Sequence, residues 1–317
     1  MKNATIKKII EISRSNKKIV FLSVDQSTGF DNELRKVLND RFIIEPISEA
    51  NVIGMASGLA SEGYIPFVFN HATFNSRRCY EQILLDSSLQ NFPIKLISMG
   101  AGFATSHLGP THTSVDDVAL MRQIPNMNIL VPSNAEEVSE LIPQVIKSKN
   151  SFYIRLTKFG IPKYGKIPSK KNNANSKVGK ASIVHKNHKY QSNDILIISN
   201  GTLTPIAIQV SENLSQKVKI SVLNMTTVKP LDGNALIKNV KKSKKILICE
   251  EHSLIGGLGS ACIEYLVDQG KNYLAKPIHR VGVPDKFILK HGDQEGILDY
   301  LKMNVLDIEK RIKKIIL

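Results

Sequence analysis

The acidic residue Glu49 opens the run Glu-Ala-Asn-Val-Ile-Gly-Met-Ala-Ser-Gly-Leu-Ala, which covers residues 49–60. The apolar residues of this run recur at helical spacing, and strand-like residues at 42–44 precede it. The pattern predicts a helix with one apolar face and an acid in its first turn. Such an acid is favoured by the helix dipole alone. It can equally be a functional carboxylate that holds a proton at the rim of a dry surface, and this segment leaves both interpretations open.

Three small residues in this segment or next to it lead to further predictions. Gly54 and Gly58 weaken a helix, so they need a packing reason, and the simplest is the close approach of another backbone. Ser48 stands where an N-cap residue would stand, so we expect its side chain to cap the first turn.

Further motifs follow along the chain in a fixed order. They are Gly-Tyr-Ile-Pro-Phe-Val at 63–68, Phe-Asn-Ser-Arg-Arg-Cys-Tyr-Glu-Gln-Ile at 74–83, Gly-Pro-Thr-His at 109–112, Asp-Val-Ala-Leu-Met-Arg at 117–122, Ile-Pro-Asn-Met at 124–127, Val-Lys-Pro-Leu-Asp at 228–232, Glu-Glu-His at 250–252 with Gly-Gly-Leu-Gly-Ser-Ala at 256–261, and Arg-Val-Gly-Val-Pro-Asp at 280–285. In this order the chain resembles the transketolase family of thiamin-diphosphate enzymes. Each motif alone is weak, but the resemblance covers nearly the whole chain.

The resemblance implies a cofactor site. Glu49 is similar to the glutamate that contacts a ring nitrogen of the cofactor's pyrimidine, where proton transfer needs a partner within about 3 Å. Phe74 matches the aromatic residue that packs on the pyrimidine, although a core role is the alternative. His71 stands where the family usually has another Phe, and Arg78 lies in the same motif. We expect these four residues to bind thiamin diphosphate, and His112 to face the thiazolium and the substrate as a second catalytic group.

The resemblance also implies substrate contacts, and here the chain departs from the family. Arg155 is similar to an arginine that holds a sugar phosphate. Leu108 stands where the family has an acid that reads a sugar hydroxyl, and Gly100 stands where it has a histidine. His107 can offer a donor or a positive charge to a different group. We therefore expect the cofactor chemistry to carry over better than the sugar specificity, which favours a specialised sugar pathway.

One signature of the family is absent from the sequence. No Gly-Asp-Gly is followed some 25 to 30 residues later by Asn-Asn, the pattern that holds the metal and diphosphate. Gly256-Gly257-Leu258-Gly259 lacks the Lys-Ser/Thr of a P-loop and more simply allows tight packing at a helix start. The resemblance therefore implies a split transketolase. This chain would form a homodimer within a heterotetramer. A separate N-terminal subunit would carry the diphosphate domain, and the Mg ion would be bound mainly by that subunit.

Composition bounds the other possibilities. The net charge is +15 and the pI about 9.6, which would suit nucleic acid, an acidic partner or an anionic substrate. The lysines are scattered, however, and the clusters at 170–171 and 241–245 contain no aromatic residues, so we expect no nucleic-acid binding. No apolar run reaches about 18 residues, so we also expect no membrane span.

The three cysteines, Cys79, Cys249 and Cys262, form no C-x-x-C pair. We therefore expect neither a zinc motif nor a redox motif, and reduced thiols in the cytoplasm.

The elements that must position these residues alternate along the chain. Short apolar runs predict strands at 19–24, 42–44, 64–69, 94–98, 129–132 and 152–156, with helices between them at 32–39, 50–61, 77–89, 115–122 and 134–148. A second block predicts strands at 195–199, 218–223, 246–250 and 278–281, with helices near 204–216, 232–243, 258–269, 293–301 and 305–316. The alternation predicts an α/β fold of two domains, each with a mainly parallel sheet flanked by helices. The domains would cover 1–165, a pyrimidine-binding domain, and 193–317, a transketolase C-terminal domain, with a linker at 166–192.

Three alternatives stay open. The beta subunit of a 2-oxo acid dehydrogenase has the same layout, but Pro-Thr-His and Ala-Leu-Met-Arg favour a transketolase. A deoxyxylulose-phosphate synthase is also similar, but it is normally one long chain. A non-catalytic homologue would keep the fold without activity, although the joint presence of Glu49, Phe74, His112 and Arg155 argues for an enzyme.

Overall fold

The computed structural model describes residues 1–25, 28–157, 176–270 and 272–316. The first half of the chain contains, in order, α1 (Lys2–Ser13), β1 (Ile19–Val24), α2 (Asp31–Leu38), β2 (Phe42–Glu45), α3 (Glu49–Ser61), β3 (Ile65–His71), α4 (Tyr80–Gln82), β4 (Lys95–Met99), α5 (Asp117–Gln123), β5 (Met127–Leu130), α6 (Ala135–Lys147) and β6 (Ser151–Arg155). The second half contains β7 (Ser182–Lys186), β8 (Asn193–Ser199), α7 (Leu203–Asn213), β9 (Ile220–Asn224), β10 (Thr227–Lys229), α8 (Gly233–Lys241), β11 (Ser243–Ser253), α9 (Leu258–Asp268), β12 (Ile278–Val283), α10 (Gln294–Tyr300) and α11 (Val305–Ile316).

Two sheets organise these elements. The first has seven strands in the order β10-β5-β6-β4-β3-β1-β2, and the second has five in the order β12-β11-β8-β9-β7. All pairings are parallel except those of β10 with β5 and of β7 with β9. Strand β1, with the sequence Ile-Val-Phe-Leu-Ser-Val, is buried throughout. Strands that read as continuous apolar runs are typical of parallel sheets covered on both faces. The predicted α/β fold with two mainly parallel sheets is confirmed.

Strand β10 links the two halves of the chain. It follows β9 of the second sheet but pairs with β5 of the first, with Thr227 opposite Leu130. The sequence pattern predicts neither this short strand nor β7. Residues 182–186 of the expected linker form β7 at an edge of the second sheet, while residues 166–175 lie outside the described residues.

The type of one helix and the N-cap of another differ from the prediction. The predicted helix at 77–89 is a short α-helical piece between two π-helical segments, Phe74–Arg78 and Ile83–Leu89. Asn134 caps α6 as its position suggests, because its side chain accepts a hydrogen bond from the Glu137 N–H at 2.8 Å. The predicted cap at Ser48 is wrong: its hydroxyl donates to the Pro46 carbonyl at 3.3 Å and caps no helical N–H.

The strand ends position the chemistry-bearing residues. Strand β3 ends at His71, β4 ends at Met99 directly opposite it, and β6 ends at Arg155. The carboxyl ends of adjacent parallel strands meet at one edge of a sheet, which is where α/β folds bind ligands. No helix within the described ranges is long and apolar enough to cross a membrane.

Candidate active site

Three rings form a triangle at this sheet edge. The ring centroids of His71 and Phe74 lie 5.3 Å apart, those of His71 and His112 5.2 Å, and those of Phe74 and His112 5.2 Å. Both pairs that include His112 meet edge to face, at 76° and 74°, a favourable geometry for aromatic rings. Residues far apart in sequence thus come together in one cluster of rings.

A carboxylate is linked to this triangle through Arg78. Glu49, at the first position of α3, is only 7% exposed, and its Oε1 lies 2.6 Å from Arg78 Nη1. The Arg78 guanidinium in turn lies 4.0 Å above the centre of the Phe74 ring, within the range of a cation–π contact. Glu49, Arg78, Phe74, His71 and His112 are therefore one cluster.

The turn that carries His112 presents the residues that depart from the family pattern. Two 3₁₀ turns, Ser106–Leu108 and Pro110–His112, follow one another, and His107 and Leu108 are both exposed. Burial, with the positive charges of Arg78 and His107, lowers the pKa of His112. The imidazole of His112 is thus predominantly neutral at pH 7 and can accept a proton. Leu108, at 50% exposure, gives this rim an apolar side chain instead of an acid.

Gly100 and His71, which both depart from the family pattern, lie against each other. A Cβ placed on this residue, whose φ is +70°, would lie 2.3 Å from His71 Nε2. The His71 ring therefore fills the space that a side chain at position 100 would need.

Arg155 is not part of the cluster. It is 4% exposed, and its Nε donates to Asp117 Oδ2 at 2.8 Å. Its Nη2 donates to the carbonyls of Ser114 and Glu251 at 2.9 and 3.0 Å. A guanidinium held in this way joins the two halves of the chain. Its expected contact with a sugar phosphate stays a prediction.

The second half of the chain supports the site through residues that sequence reasoning did not assign. The Glu251 carboxylate accepts the Phe103 N–H at 2.9 Å and the Gln294 side-chain amide at 2.7 and 2.9 Å. Burial raises the pKa of Glu251. Gly102 has a φ of +65°, and a Cβ there would lie 2.4 Å from the Glu251 carboxyl carbon. The signal was present in the Glu-Glu-His motif, which was recognised without a role for its residues.

The glycines at 256–259 allow tight packing, as expected. Glu250, which is buried, accepts the N–H groups of Leu258 and Gly259 at 2.6 and 2.9 Å at the start of α9. A Cβ on Gly257 would lie 2.0 Å from the same carboxylate. This helix start thus binds an anion of its own chain.

Two family models together match most of the chain. The pyrimidine-binding domain of transketolase matches residues 1–162, and the C-terminal domain of transketolase matches residues 184–308. The chain belongs to the transketolase family. The resemblance drawn from the motifs is therefore confirmed.

Individual relatives make the match more specific. Subunit SqwH of a 6-deoxy-6-sulfo-D-fructose transketolase from Clostridium sp. (strain MSTE9) is 31% identical over 296 residues, with 93% of this chain and 86% of that protein covered. A putative transketolase C-terminal section from Methanocaldococcus jannaschii is 29% identical, with 96% and 92% covered. A solved split-gene transketolase, described as an inactive beta4 tetramer, superposes with a TM-score of 0.83 at 27% identity and covers 98% of this chain and 96% of that one.

Relatives from the nearest alternative family are longer. The chain is 30% identical to a 1-deoxy-D-xylulose-5-phosphate synthase from Halothermothrix orenii but spans only 43% of it. By comparison, the chain covers 86% of the sulfofructose transketolase subunit and 92% of the transketolase C-terminal section.

Proposed function

We propose that this chain is the C-terminal subunit of a thiamin-diphosphate-dependent transketolase. With a separate N-terminal subunit it would transfer a two-carbon ketol unit from a ketose to an aldose acceptor, in carbohydrate metabolism. The observation that carries this proposal is the buried Glu49 carboxylate beside the triangle of His71, Phe74 and His112. A carboxylate next to a flat apolar wall is what an aminopyrimidine ring requires.

The residues present fit one half of the cofactor. The ring triangle offers a wall for the pyrimidine, and Glu49 offers an oxygen to its ring nitrogen. Arg78 holds that oxygen in this structure, but its side chain is 52% exposed, so the pair contributes about 1 kcal/mol or less and can open for a ligand. Among the described residues, no group of three or more His, Cys, Asp or Glu could hold a metal ion. We assign the diphosphate and its Mg to the partner subunit.

The chain's own residues then have distinct roles. Thiamin diphosphate, when bound, supplies the reactive carbon that attacks a ketone and cleaves the adjacent carbon–carbon bond. Glu49 would hold a proton at the pyrimidine ring nitrogen, and Phe74 would exclude water from the ring face. The neutral imidazole of His112 would accept or return the proton of a substrate hydroxyl. Arg78 would hold the Glu49 side chain in place until the cofactor enters.

A second copy of the chain would cover one face of α3. Among the residues that the structure describes, a Cβ on Gly54 or on Gly58 would meet no atom within 4 Å. The close backbone approach expected from these glycines is therefore not made by the described part of the chain. The π-helical segment Ile83–Leu89 packs beside α3 and exposes Leu85 and Leu89. The related beta4 tetramer supports self-association. We infer a homodimer through this face within a heterotetramer.

Gly58→Arg should therefore separate the copies without unfolding them. The side chain has open space in the monomer, so the loss of free energy of unfolding should stay within about 1 kcal/mol. Light scattering should show a monomer for Gly58→Arg and a dimer for wild type. The exposed Lys7 lies on α1, and Lys7→Arg is the control that should remain dimeric. A dimeric Gly58→Arg would contradict an interface at α3.

The substrate is proposed to be a specialised sugar. Two relatives carry the names of such sugars: the 6-deoxy-6-sulfo-D-fructose transketolase subunit, and a subunit of an apulose-4-phosphate transketolase from Phocaeicola vulgatus. In this chain the exposed Leu108 cannot accept a hydrogen bond, while the neighbouring His107 can offer one to an anionic group. A substrate with an altered or deoxy carbon near Leu108 would suit this rim.

Leu108→Asp should therefore improve turnover of xylulose 5-phosphate by about ten- to a hundred-fold in the assembled enzyme, because a sugar hydroxyl gains its acceptor. The comparison is turnover of xylulose 5-phosphate against deoxy and amino sugar analogues for wild type and variant. If wild type already uses xylulose 5-phosphate at ordinary transketolase rates and Leu108→Asp changes nothing, the specialised-sugar proposal fails.

Co-expression with the N-terminal subunit tests the function itself. The two chains should co-purify and transfer a ketol unit, whereas this chain alone should not. Micromolar binding of thiamin diphosphate and turnover by the isolated chain would overturn the split-enzyme proposal.

The cytoplasm is the proposed compartment. All three cysteines are buried and unpaired, which suits a reducing environment. Burial raises the pKa of Cys79 and of Cys249 to about 12, so both thiols stay protonated and unreactive.

A further inference from the structure

His71 links strand β3 to the turn that carries His112. It is 5% exposed, and its two ring nitrogens contact different threonines. Nδ1 lies 3.1 Å from Thr73 Oγ1 and accepts the Thr73 N–H at 3.4 Å. Nε2 lies 2.8 Å from Thr105 Oγ1. The Thr105 hydroxyl also lies 3.0 Å from the carbonyl of His112 and 3.4 Å from that of Gly100.

These contacts fix the proton on the His71 ring. A backbone N–H can only donate, so Nδ1 must accept from Thr73. The Thr105 hydroxyl has one proton, and a carbonyl can only accept, so that proton goes to the His112 carbonyl. The lone pair of Thr105 then receives the His71 Nε2–H. The tautomer with its proton on Nε2 therefore satisfies the contacts at both ends of the ring.

Gly100 makes this arrangement possible. Any Cβ at this position would collide with Nε2, the nitrogen that donates to Thr105. The same residue has a positive φ, and its carbonyl faces the Thr105 hydroxyl. The exchange of a side chain at position 100 for glycine thus leaves room for the His71 ring and its bond to Thr105.

We propose that His71 is a positioning residue for His112, and that its Nε2–H acts through the Thr105 hydroxyl on the carbonyl of His112. The chain His71–Thr105–His112 fixes the turn Pro110–His112, and hence the place of the His112 imidazole, before substrate arrives. The kinetic part of this inference rests on the proposed transketolase function; the structural part does not.

The structural part is tested by nitrogen NMR of the full chain labelled with ¹⁵N-histidine, in which the eight histidines are assigned by single substitutions. The Nε2–H tautomer is expected for His71. Thr105→Val, which keeps the shape but removes the hydroxyl, should shift the His112 ring resonances, whereas Thr105→Ser should preserve them. Ser139→Ala removes a remote hydroxyl on α6 and should leave both histidines unchanged. An Nδ1–H tautomer of His71, or unshifted His112 resonances in Thr105→Val, would overturn the proposal.

The kinetic part uses the assembled enzyme. Thr105→Val and His71→Phe should lower kcat by about ten- to a hundred-fold, the scale of a misplaced reacting group. The KM for thiamin diphosphate in Thr105→Val should stay within about threefold of wild type, and Thr105→Ser should restore kcat. Equal kcat in Thr105→Val and wild type would reject the positioning role. If the wild-type complex transfers no ketol unit at all, the proposed function fails, and the NMR experiment still decides the role of His71.

Discussion

Glu49→Gln should lower the rate of ketol transfer by about two to four orders of magnitude, the scale on which acid–base groups act. The amide keeps the shape of the carboxylate but cannot hold a proton at the pyrimidine nitrogen. Glu49 pairs with Arg78, whose side chain is half-exposed, so the substitution removes no ion pair from the core. The variant should therefore fold and assemble as wild type does. The rate of the assembled enzyme and the hydrogen–deuterium exchange at the thiazolium carbon are the two measurements.

A matched control comes from the opposite end of the same helix. Glu62 is exposed at the C-cap of α3, and Glu62→Gln makes the same chemical change away from the ring triangle. It should keep the wild-type rate. Exchange at the thiazolium carbon that is as fast in Glu49→Gln as in wild type would show that another group performs this role.

Asp117→Asn should destabilise the fold by about 3–5 kcal/mol, the cost of leaving a buried charge without its partner. Asp117 is 0% exposed, and its Oδ2 accepts from Arg155 Nε and from the Tyr153 hydroxyl, both at 2.8 Å. The amide leaves the Arg155 guanidinium buried and uncompensated. The free energy of unfolding should be measured by chemical denaturation at one fixed protein concentration, because the chain is proposed to dimerise.

The double variant Asp117→Leu with Arg155→Met removes both charges and provides the comparison. Its loss of free energy of unfolding should be smaller than the summed losses of Asp117→Leu and Arg155→Met measured singly, because neither charge is left without its partner. A loss of less than about 1 kcal/mol for Asp117→Asn would mean that water or rearrangement compensates Arg155.

The same pair predicts an acid-sensitive stability. Burial alone would raise the pKa of Asp117, but Arg155, His252 and the hydrogen bonds from Arg155 and Tyr153 outweigh burial and lower it. A carboxyl whose pKa is lower in the folded state adds stability above its unfolded pKa of about 3.9, and this stability is lost as the pH falls through the folded value. The difference in free energy of unfolding between wild type and Asp117→Asn should therefore shrink below about pH 4.

Much of the fold follows from local pattern in the sequence. The buried strands and the amphipathic helices have the right periods, so their positions are recovered to within a few residues, and Glu49 falls at the helix start where it was expected. The pattern at 77–89 predicts one α-helix, whereas the structure has π-helical segments on either side of a short α-helical piece. The pattern does not distinguish them, because α-helices and π-helices place apolar residues at nearly the same spacing. Strand β10 was missed because three residues carry too little pattern.

The site was less accessible to such reasoning, since its contacts join distant residues. His71 and Gly100 each depart from the family pattern in the sequence. Only the pairing of β3 with β4 shows that the His71 ring occupies the space that a side chain at position 100 would need. Arg155 has the right type for a phosphate ligand, yet its partner Asp117 lies 38 positions away in sequence. A local motif gives a residue's type, whereas burial and partners decide what it can contact.

The most direct measurement of the central claim is ketol transfer by the reconstituted enzyme. This chain and its N-terminal partner should be purified separately and mixed with thiamin diphosphate, Mg and a panel of ketose donors with an aldose acceptor. The account predicts that a ketose two carbons longer than the acceptor forms only when both chains and the cofactor are present, and that Glu49→Gln removes nearly all of it. Product formed by this chain alone, or undiminished product with Glu49→Gln, would contradict the account.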